Sequence, residues 1–415
     1  MKPTPLRIGL DARLVSGLGG GVEQFVIGLA SGLSKLTDGD EEYFFLAYAD
    51  GDEWIRPYLG GPCRILPGPK IAWKRWLVSK LPVLLKAYHR FSPLWQAKHL
   101  PRSDGTIEKA GIDVMHFTFQ WAFLTDVTSI YHPWDLQHLH LPQFFRPIER
   151  MVRERAYHAF CDRARMVSVG STWSKRDLIR NYGLSEDKVQ VVPGAPVLTA
   201  YPTPMANDLA AARRKFALPE AFVFYPAQTW AHKNHLGLLE ALAILRDRNG
   251  LSVPLVSSGH LNDFFPKIEK RAGALGLTDQ VRFLGFVHPI ELQSLYRLCR
   301  CMVFPSRFEG WGLPIAEAFF AGAPVACSKV TSLPDLAGEA ALFFNPDRPE
   351  EIAEAIHRLW TDEALRQQLI ERGRKRAACF SWDRTARIFR AHYRRLANRP
   401  LTQEDRDLLE APPLL

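Results

Sequence analysis

Two glutamates enclose a short loop that contains two glycines. Glu309 precedes Gly310 and Gly312, and Glu317 lies about one helical turn beyond the loop. Pro314 suits the first turn of a helix, which would then begin directly after the loop. Such a helix presents backbone N–H groups and the positive end of its dipole to a diphosphate. Carboxylates beside that seat are best explained as acceptors for hydroxyl groups, one on a sugar and one on a ribose.

The surrounding stretch, F-E-G-W-G-L-P-I-A-E-A after an apolar strand, resembles the retaining glycosyltransferases of the GT-B fold, family four (the group 1 glycosyltransferases). In that family two glutamates at this spacing hold the donor. The resemblance implies that Glu309 contacts the transferred sugar and that Glu317 contacts the ribose. The alternative is a solvated helix start with ordinary surface acids. The predicted donor-binding residues of this stretch are Ser306, Glu309, Gly310, Trp311, Gly312, Leu313 and Glu317.

A segment from 225 to 234 resembles the stretch of the family that clamps the donor phosphates. Lys233 matches a lysine that neutralises the leaving diphosphate, with a solvated lysine at a helix start as the alternative. Gln228 stands where many members carry arginine, and His232 stands where some members carry it. This variant of the motif resembles members that use GDP-mannose.

Two other segments complete the predicted donor site. Gly20 and Gly21 belong to a glycine-rich turn that resembles the family's N-terminal glycine loop, where backbone amides approach the donor phosphate. Phe286 and Val287 resemble the segment that packs on the nucleobase. For this last pair, plain core packing is the alternative.

Histidines cluster in the first half of the chain. The family has a histidine near the reacting carbon, followed by Asp-Leu; here Trp134 replaces that histidine and Asp135 remains. We therefore predict acceptor contacts from His116, Asp135 and His138, with satisfied structural histidines as the alternative. Their spacings fit none of the usual zinc patterns.

The chain between residues 70 and 102 is basic and contains no acid. Three tryptophans are interleaved with its cations, a composition that suits an anionic membrane surface or a lipid-linked acceptor. A solvated cationic loop is the alternative, and no recognised nucleic-acid fold accompanies the charge. The cations are Lys70, Lys74, Arg75, Lys80, Lys86, Arg90, Lys98 and Arg102.

Short apolar runs alternate with longer amphipathic ones along the chain, which predicts an α/β protein with doubly wound parallel sheets. A proline-containing linker near residue 200 separates two such series. We expect two Rossmann-like domains that face each other across a cleft, as the GT-B resemblance implies. The predicted bounds are 1–200 for the acceptor domain, 215–380 for the nucleotide-sugar domain and 381–400 for a helix that crosses back.

Composition supports a globular, reduced protein. The 415 residues carry a net charge of +9, and the six cysteines are scattered without a C-x-x-C pair. No signal-peptide pattern occurs, and no apolar stretch reaches the ~20 residues needed to cross a bilayer. We expect a cytoplasmic protein that associates peripherally with the inner face of the membrane.

Together these features predict a retaining glycosyltransferase that needs no metal or other cofactor. It would move a hexose from a nucleotide-diphosphate sugar to a glycan or lipid-linked saccharide in cell-surface polysaccharide synthesis. Two alternatives stay open at this point. One is a sugar-nucleotide epimerase of the same fold, and the other is a non-catalytic homologue that binds nucleotide sugars. Nucleic acid is not an expected partner.

Overall fold

The computed structural model describes residues 4–17, 19–70 and 100–413. Most of the basic segment 70–102 lies outside these residues. The chain forms two compact units, which we describe separately. The first comprises Met1–Ala200 together with Ser381–Leu415, and the second comprises Tyr201–Phe380.

The first unit is built on a parallel sheet that, in its described part, has the strand order β3-β2-β1-β4-β5-β6-β7. On one side of β1 the strands follow in the order β2 and β3. Strand β4 pairs with the other side of β1. The strands are β1 Leu6–Asp11, β2 Glu41–Tyr48, β3 Cys63–Gly68, β4 Val114–Phe117, β5 Thr128–Tyr131, β6 Met166–Val169 and β7 Val189–Val191.

Helices connect these strands. Phe25, Leu29 and Leu33 recur at a spacing of four and form one buried helix face, on which each is at most 4% exposed. The helices in this part of the unit are α1 Gly21–Leu33, α2 Thr106–Lys109, α3 Gln137–His140, α4 Pro147–Arg163 and α5 Thr172–Tyr182.

The second unit contains a parallel sheet with the order β10-β9-β8-β11-β12-β13 among its described residues. The sequences of its strands are short apolar runs, because helices cover both faces of the sheet. The strands are β8 Val223–Pro226, β9 Leu255–Ser258, β10 Val281–Phe283, β11 Cys301–Phe304, β12 Val325–Ser328 and β13 Ala341–Phe344. The helices are α6 Ala206–Lys215, α7 His235–Asn249, α8 Phe265–Ala274, α9 Pro289–Leu298, α10 Leu313–Ala321, α11 Leu333–Ala337, α12 Pro349–Thr361 and α13 Glu363–Ala377.

The chain ends with helices α14 (Trp382–Leu396) and α15 (Gln403–Glu410), which belong to the first unit. Helix α14 packs closely on α1 because Gly28 and Gly32 leave room for it. A Cβ at Gly28 would lie 1.9 Å from the Trp382 ring, and one at Gly32 would lie 2.6 Å from the Trp382 carbonyl oxygen. Larger residues at these two positions would therefore push the C-terminal helix away.

Within the described ranges, no helix combines the length and the apolar character required to cross a membrane.

Candidate functional site

Most of the predicted donor residues of the second unit follow the carboxyl ends of β8 and β11, and Phe286 and Val287 follow β10. The neighbouring strands β8 and β11 mark the point where the strand order of the sheet reverses. Loops at such a point diverge to opposite faces and leave a crevice, which is where open α/β sheets bind ligands. The loop after β8 carries Gln228, His232 and Lys233, and the loop after β11 carries Ser306 and Glu309.

Lys233 and Glu309 join these two loops through an ion pair. The Lys233 Nζ lies 2.5 Å from Glu309 Oε1, and the two side chains are only 18% and 13% exposed. The lysine is also held at its backbone, because the Tyr225 hydroxyl donates to its carbonyl oxygen at 2.5 Å. Its ammonium group lies 5.6 Å from the centroid of the Phe304 ring. The fold therefore places a cation and a carboxylate side by side in a partly desolvated site, where their electrostatic attraction is stronger than in water.

The backbone of Glu309 is fixed on both sides by the segment after β12. Its N–H donates to Thr331 Oγ1 at 3.1 Å, and its carbonyl oxygen accepts from Ser332 Oγ at 2.9 Å. Thr331 adopts a positive φ of 48°, which is uncommon for a β-branched residue. Backbone strain of this kind persists where the surrounding structure imposes it, often at binding sites.

Helix α10 begins directly after the glycine loop, as the sequence predicts. Gly312 precedes the helix with a φ of 97°. A Cβ there would lie 2.5 Å from Leu333 Cδ2, so position and conformation both require glycine. Trp311 is 7% exposed and packs edge-on against Phe380. Trp311 thus anchors the glycine loop to the rest of the second unit. Helix α10 begins directly after this loop, at Leu313.

Glu317 lies inside α10, and its side chain is buried. Its Oε2 accepts a 2.7 Å hydrogen bond from the Tyr296 hydroxyl on α9. Burial raises the pKa of Glu317 to about 7, although the bond from Tyr296 opposes that shift. The carboxyl group therefore titrates near neutral pH, and its readiness to accept a hydroxyl depends on pH.

Gln228 and His232, the other predicted residues of the phosphate-clamp motif, accept hydrogen bonds from neighbouring residues of the protein. Gln228 Oε1 accepts from Trp230 Nε1 at 2.9 Å, and the Trp230 side chain is 51% exposed. The His232 carbonyl oxygen accepts from the backbone N–H of Arg307 and, more weakly, from Ser306 Oγ. Burial lowers the pKa of His232 to about 2, with Lys233 and His235 adding to the effect. His232 is therefore neutral near pH 7 and does not replace the charge of an arginine.

Phe286 and Val287 occupy different environments. The Phe286 ring is 55% exposed and stacks on His260, with centroids 5.0 Å apart. Val287 is 7% exposed, as the core-packing alternative describes. A flat exposed ring such as Phe286 offers a surface for a nucleobase.

The predicted acceptor residues of the first unit lie in or near its core. His116 is fully buried, and its Nδ1 is 2.7 Å from the Tyr393 hydroxyl. His138 is 1% exposed and pairs through Nε2 with Glu154 at 2.9 Å. Asp135 accepts from the backbone N–H of Gln137. These placements favour the structural alternative for both histidines, and their contact with an acceptor stays a prediction.

The remaining predicted positions lie where α1 begins. Gly20 has a φ of 53° and precedes Gly21, the first residue of the helix. Glu23 on the first turn accepts from the Gly17 N–H at 2.9 Å, so part of the glycine loop is held by a carboxylate.

Trp134, which replaces the family's histidine, has a positive φ of 66°. Its Nε1 donates to the Thr118 carbonyl oxygen at 3.1 Å.

No group of three or more His, Cys, Asp or Glu side chains in the described ranges is arranged to hold a metal ion.

Comparisons with known proteins identify the family and the fold. The family described as Glycosyl transferases group 1 matches residues 209–376, and Glycosyltransferase Family 4 matches residues 19–195. The chain belongs to the group 1 glycosyltransferases. The structure of HepE from Anabaena in complex with UDP and glucose covers 93% of this chain and 99% of its own, with a TM-score of 0.68 and 18% identity. The fold of this group 1 glycosyltransferase is therefore GT-B.

Two relatives in Escherichia coli are mannosyltransferases. O-antigen chain mannosyltransferase B is 30% identical over 243 residues, which are 58% of this chain and 63% of that protein. Serotype-specific mannosyltransferase WbdA is 32% identical over 185 residues, which are 44% of this chain and 23% of that protein. The chain thus matches less than two thirds of the length of either relative.

Several residues that shape the site escape sequence reasoning. Thr331 and Ser332 hold the backbone of Glu309, and His260 supports Phe286. The hydrogen bond between Tyr296 and Glu317 also has no signal in their spacing along the sequence. The contacts of Glu309 and Phe286 depend on strand order, which brings distant loops to one edge of the sheet, whereas the Tyr296–Glu317 bond depends on the packing of α9 on α10.

Proposed function

We propose that this group 1 glycosyltransferase moves a hexose from a nucleotide-diphosphate sugar, with GDP-mannose as the preferred donor, to a hydroxyl of a glycan or lipid-linked saccharide. The product keeps the anomeric configuration of the donor, and no metal ion takes part. The reaction belongs to the synthesis of a cell-surface polysaccharide.

The observation that carries the proposal is the pairing of Lys233 with Glu309 at the reversal point of the second sheet. In the proposed reaction the bond from the sugar's anomeric carbon to the diphosphate oxygen breaks while the acceptor oxygen attacks from the same face. The acceptor's proton passes to the leaving diphosphate oxygen. The Lys233 ammonium and the N-terminus of α10 stabilise the negative charge that develops there.

The carboxylates have separate proposed partners. Glu309 lies beside the lysine and is fixed at its backbone, which suits an acceptor for the hydroxyls of the transferred sugar. Glu317 lies deeper, next to Tyr296, and is assigned to the ribose. Phe286 carries the base on its exposed ring. The arrangement gives each part of a nucleotide sugar a group of matching chemistry.

The relatives' names supply the sugar and the setting of the proposal. Both E. coli relatives are described as mannosyltransferases, and one as acting on the O-antigen chain. The match to 63% and 23% of their lengths leaves the donor and acceptor of this chain to experiment.

The test combines donor binding with product analysis. Thermal shifts with GDP, UDP and their sugars identify the base, because a ligand at a hundred times its Kd stabilises a protein by ~2.7 kcal/mol. Incubation of the preferred donor with an oligosaccharide acceptor should release nucleotide diphosphate, and NMR should show an α-linked product from an α-linked donor. A β-linked product would overturn retention. Conversion of the donor's sugar without transfer would support the epimerase, and nucleotide binding without turnover would support the non-catalytic homologue.

A further inference from the structure

A cavity in the first unit lies apart from the predicted acceptor residues. Its volume is about 380 Å³, within the range of roughly 300–1,000 Å³ that is usual for small-molecule sites. The described residues that give it its chemistry are Arg13, Tyr48, Arg102, Asp104, Phe119 and Trp121. His116, Asp135 and His138 are not among the described residues that line it.

The cavity lies where the topology of the unit favours ligand binding. Arg13 follows β1, Tyr48 ends β2, Pro69 follows β3, and Phe119 and Trp121 follow β4. All four strands are parallel neighbours in the sheet, so these residues share its carboxyl edge. The strand order reverses between β1 and β4, and open α/β sheets bind ligands in the crevice at such a point.

The cations of the cavity are balanced by carboxylates. Arg13 donates from Nε to Asp11 Oδ1 at 2.8 Å and from Nη2 to Asp11 Oδ2 at 2.6 Å, so this pair is bidentate. Arg102 and Asp104 also line the cavity, and both are exposed. Among the described residues, the two arginines of the lining are thus matched in number by Asp104 of the lining and by Asp11, the partner of Arg13. This balance favours an uncharged ligand over a phosphate or diphosphate, which would need an excess of cations.

The rest of the lining suits a sugar ring. The C–H face of a pyranose is apolar and packs on an aromatic face, and Trp121 offers a large ring that is 38% exposed. Arg13 is held rigid because its guanidinium also lies 4.8 Å from the Phe123 ring centroid. Asp104 Oδ1 accepts from the Thr106 N–H at 2.9 Å, which leaves the carboxylate with capacity to accept hydroxyls.

We propose that this cavity binds a neutral pyranose of the acceptor saccharide, stacked on Trp121 with its hydroxyls bonded to Asp104 and Arg102. The assignment rests on the proposed function, because it takes the ligand to be the acceptor of that transfer. It places acceptor recognition on the loops after β1, β2 and β4, and leaves the buried histidines a structural role.

Binding without a donor is the first test. Saturation-transfer NMR should detect methyl α-mannoside, mannobiose or maltose bound to the wild-type protein, with the signal lost in Trp121→Ala and retained in Trp121→Phe. Phe144→Ala is the matched control, because Phe144 is an aromatic residue of the same unit with 37% exposure that does not line the cavity. Mannose 1-phosphate should bind more weakly than the neutral sugars. Equal signals from the wild type and Trp121→Ala, no signal from any neutral sugar, or tighter binding of the phosphate would overturn the assignment.

Kinetics separate this inference from the proposed function. Trp121→Ala should raise the acceptor KM about tenfold, which corresponds to the upper range for one aromatic contact. Arg102→Gln, at an exposed position, serves as a second variant should Trp121→Ala fold poorly, and it should raise the same KM. Saccharide binding through Trp121 in a protein without transferase activity would retain the site and reject the function. Transfer with an unchanged acceptor KM in both variants would retain the function and reject the site.

Discussion

The Lys233 ammonium lies 2.5 Å from the Glu309 carboxylate and links the loops that follow β8 and β11. The two residues are 76 positions apart, and only the strand order of the second sheet makes them neighbours. Each fixes the other in a partly buried position. Removal of either partner leaves an uncompensated charge, so single substitutions report both lost chemistry and lost pairing.

Replacement of the lysine should slow turnover strongly. Lys233→Ala removes a cation from the developing charge on the leaving diphosphate and should reduce kcat by about 10²–10³, as loss of one oxyanion donor does. Lys215→Ala is a matched control, because Lys215 forms a similar ion pair with Glu291 in the same unit. Turnover of Lys233→Ala within a few-fold of the wild type would rule out a role at the leaving group.

Substitution of Glu309 and of Glu317 should impair different steps, sugar transfer in the first case and nucleotide binding in the second. Glu309→Gln should impair sugar transfer more than nucleotide binding, because Glu309 is assigned to the transferred sugar. Glu317→Ala should weaken binding of the nucleotide itself, measured by calorimetry with the diphosphate alone. Activity that a chelator abolishes and a divalent ion restores would contradict the metal-independent scheme. Identical defects in both variants would contradict the division of roles.

Nucleotide affinity should depend on pH through Glu317. Its pKa of about 7 means that the carboxylate, the stronger hydroxyl acceptor, forms as the pH rises through neutrality, so affinity should increase across that range. Tyr296→Phe removes a bond that favours the carboxylate, and the midpoint should therefore move to higher pH. A Glu317→Gln protein should lack this transition. A profile that is unchanged in Tyr296→Phe would contradict the assignment.

Sequence patterns predict buried strands better than they predict their partners. Strands β6 and β11 coincide with short, largely apolar runs of the sequence, which are typical of sheets covered on both faces. Strand β2 escapes prediction, since it begins with two glutamates. Glu41 is nevertheless buried, because Arg394 from the C-terminal helix donates to it at 2.5 Å. A partner 353 positions away leaves no local signal.

The residues of the candidate site also divide into those with a local sequence signal and those whose surroundings depend on distant contacts. Lys233, Glu309 and Glu317 can be singled out from the sequence because they lie in short motifs, and the structure brings Lys233 and Glu309 together. The burial of His116 has no such local signal, because it depends on Tyr393 of α14, 277 positions along the chain. The residues that line the cavity of the first unit likewise require the structure, in which loops from β1, β2 and β4 meet at one edge.

Acid should destabilise the first unit through its buried histidines. Burial lowers the pKa of His132 and of His392 to about 3 and that of His116 well below its usual value. The native state therefore stays unprotonated at these rings while the unfolded chain binds protons below about pH 6.5, so stability should fall as the pH decreases from there. Each such histidine contributes a slope of about 1.4 kcal/mol per pH unit.

His132→Phe tests this slope directly. In the described part of the chain neither ring nitrogen of His132 has a hydrogen-bond partner, and the ring packs against Phe25 and Trp134. Phenylalanine should retain the packing, and urea unfolding between pH 4 and 7 should show a shallower loss of stability. His158→Phe, at an exposed ring of the same unit, is the matched control. An unchanged slope in His132→Phe would show that other groups govern acid stability.

The basic segment 70–102 should bind anionic membranes reversibly. It lies largely outside the described residues, and the prediction rests on its eight cations, three tryptophans and lack of acids. Each cation near an anionic surface contributes about 1 kcal/mol, and salt weakens the attraction because it screens charge over about a Debye length. Replacement of Lys74, Arg75, Lys80 and Lys86 with glutamine should release the protein from anionic vesicles in a flotation assay. Donor hydrolysis, which depends on the second unit's site, should persist in this variant. Equal flotation of the variant and the wild type would leave the segment as a solvated cationic surface.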